Sequence, residues 1–172
     1  MNTTLIANWN KVVGVNDTVY HLGDFAFTHG GGTRAVRAIE ELLDQLNGRV
    51  VLIIGNHDKR NIVKRVKKFE SVHEELILRH NKQKVVLNHY WMGTWEGRRQ
   101  GSWHLFGHSH GRTVRKNALA FDVGVDVWDY RPISFAQVKE AMDNKVFGIE
   151  PNDPKPDWTV ENIIRYVRWG DL

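Results

Sequence analysis

A chain of 172 residues with 41% hydrophobic composition is long enough for one domain with a sizeable core. It holds no cysteine, which excludes disulfides, thiol catalysis and thiolate metal sites and fits a reducing cytoplasm. The net charge of +4 is mildly basic. No apolar run reaches the roughly 18 residues of a membrane span, and the N-terminus lacks the pattern of a signal peptide.

Residues 3–13 set Leu5, Ile6, Trp9, Val12 and Val13 on one helical face, with Asn2 or Thr3 as the cap and Gly14 as the stop. Thr18–Leu22 reads as a strand running into Gly23-Asp24. Gly30-Gly31-Gly32 is a flexible turn without the Gly-Lys-Ser/Thr ending of a phosphate loop. Thr33 caps a helix to Leu46 that carries Val36, Ile39, Leu42, Leu43 and Leu46 on one side, and Asn47-Gly48 ends it. The strand at 49–54 follows Arg49 with five apolar residues in a row, the mark of a buried strand. It stops at Gly55 and delivers Asn56, His57 and Asp58.

A basic cluster follows (Lys59, Arg60, Lys64, Arg65, Lys67, Lys68), either a solvated helix face or an attractor of anionic substrate. Ile62, Val63, Val66 and Phe69 give that stretch a short helix. Residues 71–79 and 84–88 read as a hairpin around His80–Gln83, and the second strand ends at Asn88-His89. The loop at 91–101 is rich in aromatic and basic groups, with Trp91, Trp95, Arg98 and Arg99. A strand at 102–106 runs into Gly107-His108-Ser109-His110, and another at 119–125 is followed by Asp126. Ser134 caps a helix to about Met142. Pro151, Pro154 and Pro156 mark an extended linker before a last amphipathic helix with Val160, Ile163, Ile164 and Val167. The expected organisation is a single domain over 1–172 with a helical extension from about residue 151.

Four strands thus end alike, in a glycine or asparagine followed by polar side chains. One such end is an ordinary turn. Four are a constellation if the strands run in parallel, because α/β sheets gather their chemistry at the carboxyl edge. Oxygen and imidazole donors suit manganese, iron or zinc.

The order Gly23-Asp24, Gly55-Asn56-His57-Asp58, Asn88-His89, Gly107-His108-Ser109-His110 resembles the calcineurin-like metallophosphoesterase superfamily. Asp17–Asp24 (Asp-Thr-Val-Tyr-His-Leu-Gly-Asp) and Val123–Asp126 (Val-Gly-Val-Asp) are similar to its small bacterial and phage branch, so the likeness covers roughly residues 3–135. The resemblance implies an α/β fold, a four-layer αββα sandwich with metals at the strand ends. It makes Asp24 the bridging carboxylate, with Asn56, His89 and His108 on one metal and His110 on the other. His57 faces the scissile phosphate and Asp58 orients it. The implied cofactors are one or two divalent ions, manganese first, with iron, zinc, nickel or cobalt as alternatives. The implied activity is hydrolysis of a phosphomonoester or phosphodiester by metal-activated water, on a phosphorylated small molecule or nucleotide.

Family members open with a strand ending in Asp-x-His, and no Asp-x-His precedes Gly23 here. The expectation is therefore a sandwich without its first strand, through truncation or a late start, or a first metal held poorly. Two rival readings remain. One is a nuclease whose Trp91, Trp95, Arg98 and Arg99 stack on bases and meet phosphates. The other is a non-catalytic metal-binding or interaction module on the same fold.

Overall fold

A computed structural model describes residues 2–28, 31–113 and 118–144. The three-glycine turn in part, the proline linker and the final helix lie outside the described residues. Helix α1 (Asn2–Val12) leads to strand β1 (Thr18–His21), helix α2 (Gly32–Leu43) and strand β2 (Arg49–Ile53). A four-residue helix α3 (Arg60–Val63) precedes β3 (Ser71–His73), β4 (Glu75–His80) and β5 (Gln83–Asn88). Strands β6 (Trp103–Phe106) and β7 (Ala120–Asp122) and helix α4 (Phe135–Asp143) follow.

The strands form two sheets, ordered β1-β2-β3 and β4-β5-β6-β7. The first is parallel throughout. In the second, β5, β6 and β7 are parallel and β4 is antiparallel to β5. This is the α/β sandwich expected from the motif order. β2 explains its own burial. Alternate residues Val50 and Leu52 cluster with Trp9, Ala35, Ile39 and Leu43 of the helices and with Val13 just after α1, while Ile53 clusters with Val85, Leu87 and Trp103 of the second sheet. Leu52 and Ile53 are fully buried, each contributing about 1.5–3 kcal/mol relative to exposure. The far face of the second sheet is covered by Trp91, Met92 and Trp95, which pack with Val86, Phe106 and Ala120.

Several elements differ from their sequence reading. Residues 71–79 are two strands rather than one, because the chain leaves the first sheet after His73 and joins the second at Glu75. Glu74 at this crossing pairs both carboxylate oxygens with the Arg60 guanidinium, at 2.6 and 2.7 Å. α1 already includes Asn2 and Thr3. Gly31, not Thr33, is the N-cap of α2, and that helix ends at Leu43, earlier than the apolar pattern reached. The strand expected to 125 ends at Asp122, and Val125–Val127 forms a 3₁₀ turn. Ser134 does cap α4, with its side chain and that of Gln137 closing a reciprocal capping box. Among the described residues β1 pairs with β2 alone, so its other side is a sheet edge.

Candidate metal centre

Parallel strands bring their carboxyl ends to one side, and two sheets do so here. β1 ends toward Gly23-Asp24 and β2 toward Gly55-Asn56-His57-Asp58, while β5 ends toward His89 and β6 toward Gly107-His108. The turns are tight. Asp24 (φ 57°), His108 (φ 62°) and His110 (φ 49°) all sit in the left-handed region, at about 1–3 kcal/mol each for a residue with a side chain. Two glycines make the approach sterically allowed. A Cβ at Gly23 would lie 2.3 Å from His89 Nδ1, and one at Gly55 would lie 2.3 Å from Asp24 Oδ1.

Asp58 holds this edge in place. Its Oδ2 accepts the backbone N–H groups of Asp24 (2.8 Å) and Gly55 (2.9 Å), and its Oδ1 accepts that of Phe25 (2.9 Å). One buried carboxylate therefore ties the turn after β1 to the turn after β2. Bonds to a charged acceptor are the strong kind, and they offset the strain at Asp24. The hydrogen bonds of Asp58 described above all come from backbone amides, and the backbone N–H of His57 donates to Asp24 Oδ1 at 2.8 Å.

Among the described residues, ligand atoms of Asp24, His89 and His108 lie within 4.8 Å of one another. His89 is buried, and its ring protons can be placed. Nδ1 is 2.7 Å from the Leu22 carbonyl, which can only accept, so Nδ1 carries a proton. The other nitrogen, Nε2, then faces Asn56 Oδ1 at 2.8 Å and Asp24 Oδ2 at 3.6 Å. Three acceptor atoms converge with no donor of their own in the neutral ring. A cation relieves that repulsion, and the donor set of carboxylate, carboxamide and imidazole fits a divalent first-row ion. Asp24, Asn56, His89 and His108 would hold it.

The family model for calcineurin-like phosphoesterases matches residues 3–117. The chain belongs to this family. The chain is 34% identical over 140 residues to the uncharacterized protein MJ1445 of Methanocaldococcus jannaschii, a match covering 78% of this chain and 70% of that one. Its fold is similar to the crystal structure of the protein of unknown function AQ665 from Aquifex aeolicus, with TM-score 0.59 and 23% identity over 81% of this chain and 84% of the other. A structure described as a novel archaeal phosphodiesterase aligns with TM-score 0.47 and 20% identity, over 72% and 74% of the two chains.

Around this cluster, the other expected residues are distributed as follows. His57 is exposed, its ring 5.0 Å from that of Phe27. His110 is outside the three-residue cluster, and its Nδ1 lies 2.5 Å from Asp126 Oδ2. A cavity of about 410 Å³ adjoins the centre, lined by Ile54, Asn56, Arg60, Glu74, Asn88 and Tyr90. Tyr90, whose ring is 4.7 Å from that of His108 and 4.9 Å from that of His89, drew no notice from the sequence, although it directly follows a candidate ligand. Nor did His21, which ends β1 beneath the centre. Its Nδ1 is buried and has no hydrogen-bond partner among the described residues, and burial pushes its pKa down against the pull of Asp58 and Asp24.

In the loop at 91–101, Trp95 does not fit the reading of a stacking surface. Trp95 is buried, its Nε1 donates to the Ser102 carbonyl at 3.1 Å, and Arg98 lies over its ring. A side chain so enclosed has no face to offer a base. Beneath it, fully buried His104 lies 3.2 Å from the Val86 carbonyl through Nδ1 and accepts the Met92 N–H at Nε2, and burial lowers its pKa.

Proposed function

We propose that this phosphoesterase-family chain is a metal-dependent hydrolase of phosphomonoester or phosphodiester bonds, acting on a phosphorylated small molecule or nucleotide. The observation that supports this most is the convergence of Asp24, His89 and His108 at the strand ends, with Asn56 facing His89. Manganese is the proposed ion, on the grounds of mixed oxygen and imidazole donors. When bound, the divalent ion supplies an activated water and positive charge for the phosphoryl oxygens.

The chain's own groups supply the rest. Exposed His57, fixed through its backbone to Asp24, is the proposed proton donor to the leaving oxygen. Asp58 keeps the two turns in register for it. The cavity beyond Asn56 is the proposed seat of the leaving group. His110 is the proposed ligand of a second ion. The cysteine-free composition fits a cytoplasmic location, and no described helix is long and apolar enough to cross a membrane.

The interaction-module reading predicts metal binding without turnover. The test is hydrolysis of p-nitrophenyl phosphate and its bis-ester by the full chain, with manganese and with a chelator. Turnover that needs manganese and falls in Asp24→Asn supports the hydrolase. Metal binding with no turnover of either ester supports the module.

A further inference from the structure

His110 stands beside the three-residue cluster rather than in it, and the structure holds it in a specific way. Its backbone is left-handed and its side chain is 68% exposed, a combination that ordinarily leaves an imidazole free to rotate. Here Nδ1 meets Asp126 Oδ2 at 2.5 Å. Asp126 lies in the 3₁₀ turn after β7, a different segment from the loop after β6 that carries His110.

The two segments are clasped by Asp122. Its Oδ2 accepts the Ser109 hydroxyl at 2.7 Å and the Gly111 N–H at 2.9 Å, one on each side of His110. Its Oδ1 accepts the Gly124 N–H at 2.9 Å, at the start of the turn that bears Asp126. The approach tolerates no side chain at two points. A Cβ at Gly111 would lie 2.7 Å from Val127 Cγ1, and one at Gly124 would lie 2.8 Å from Asp126 Oδ1. All these partners in 122–127 lie beyond the residues matched by the family model.

We propose that Asp126 is a positioning residue for His110. As an acceptor it fixes the proton on Nδ1, and so keeps Nε2 unprotonated as the ring atom able to ligate an ion. A carboxylate behind a ligating histidine sets both tautomer and ring orientation. This inference rests on the reading of His110 as a metal ligand.

Two measurements on the full chain test it. The first is the ¹⁵N ring spectrum of metal-free protein, with the His110 signals assigned by their loss in His110→Ala. Wild type should show the Nδ1–H tautomer, and Asp126→Leu should move His110 toward the Nε2–H form favoured by a free side chain. The second is calorimetric titration with manganese. Asp126→Leu should weaken one binding event by about 10–100-fold, and Asp126→Asn, which keeps an acceptor, should fall between it and wild type. An Nε2–H tautomer in wild type overturns the proposal even if Asp126→Leu fails to fold. Manganese affinity lowered by His110→Ala but unchanged in both Asp126 variants overturns the positioning role alone. Affinity unchanged in His110→Ala overturns the ligand reading and the positioning role with it.

Discussion

Asp58 gives the most quantitative test of how the site is held together. Removing its carboxylate in Asp58→Ala leaves the N–H groups of Asp24, Phe25 and Gly55 without their acceptor. Hydrogen bonds to a charged group are worth about 1.5–3 kcal/mol each. Water reaching the part-buried Asp24 and Phe25 amides recovers some of that, so the expected loss is about 3–6 kcal/mol. Against a domain stability of about 5–15 kcal/mol, this is a large fraction. Asp58→Asn has the same shape. Its one oxygen can keep the two amides now on Oδ2, but its NH₂ group then opposes the Phe25 N–H. Its expected loss is about 1.5–3 kcal/mol. The assay is urea unfolding in a chelator, so that metal binding does not mask the difference. With a slope of about 1–3 kcal/mol per molar, Asp58→Asn should lower the midpoint by roughly 1 M at unchanged slope. Losses below about 1 kcal/mol in both variants, or Asp58→Ala no worse than Asp58→Asn, would refute the reasoning.

Three further outcomes are expected. In a chain active on bis-p-nitrophenyl phosphate, His57→Ala should lower turnover by about 10²–10⁴-fold with metal content unchanged, and parallel loss of metal would make His57 a ligand. Trp95→Ala should destabilise the chain by about 3–5 kcal/mol, since the ring is core, and a stable variant with weakened single-strand affinity would restore the nucleic-acid reading. His104 has its folded pKa below 6.5, so the unfolded chain takes up the proton first. Its contribution to stability is complete above pH 6.5 and declines as pH falls through it toward the folded pKa, by at most about 1.4 kcal/mol per unit. His104→Gln should flatten that slope, and equal slopes in the two proteins would count against it.

The strand ends were legible because glycine followed by polar residues after an apolar run is a local pattern. Asp24, Asn56, His89 and His108 could be placed together once the strands were taken as parallel. What the sequence hid is long-range. The partners of Asp58 are backbone amides, which leave no mark in side-chain identity. The break at Glu74 has no glycine or proline to mark it, and the pairing with β2 and β5 is what divides the stretch. Trp95 looked exposed because its loop is polar, yet its indole finds a carbonyl seven residues on. Asp126 did carry a signal, an acidic residue after a glycine-bearing strand end like that of Asp24. Its partner His110 could not be read from spacing.

The central claim is that Asp24, His89 and His108 converge to hold a divalent ion. Elemental analysis after manganese loading and exhaustive dialysis tests it directly, on wild type and on Asp24→Asn and His108→Ala. Wild type should retain about one tightly held ion per chain, the number its four-donor site can support, and each variant should retain far less. Variants that keep the same manganese as wild type would contradict the account and place the ion elsewhere.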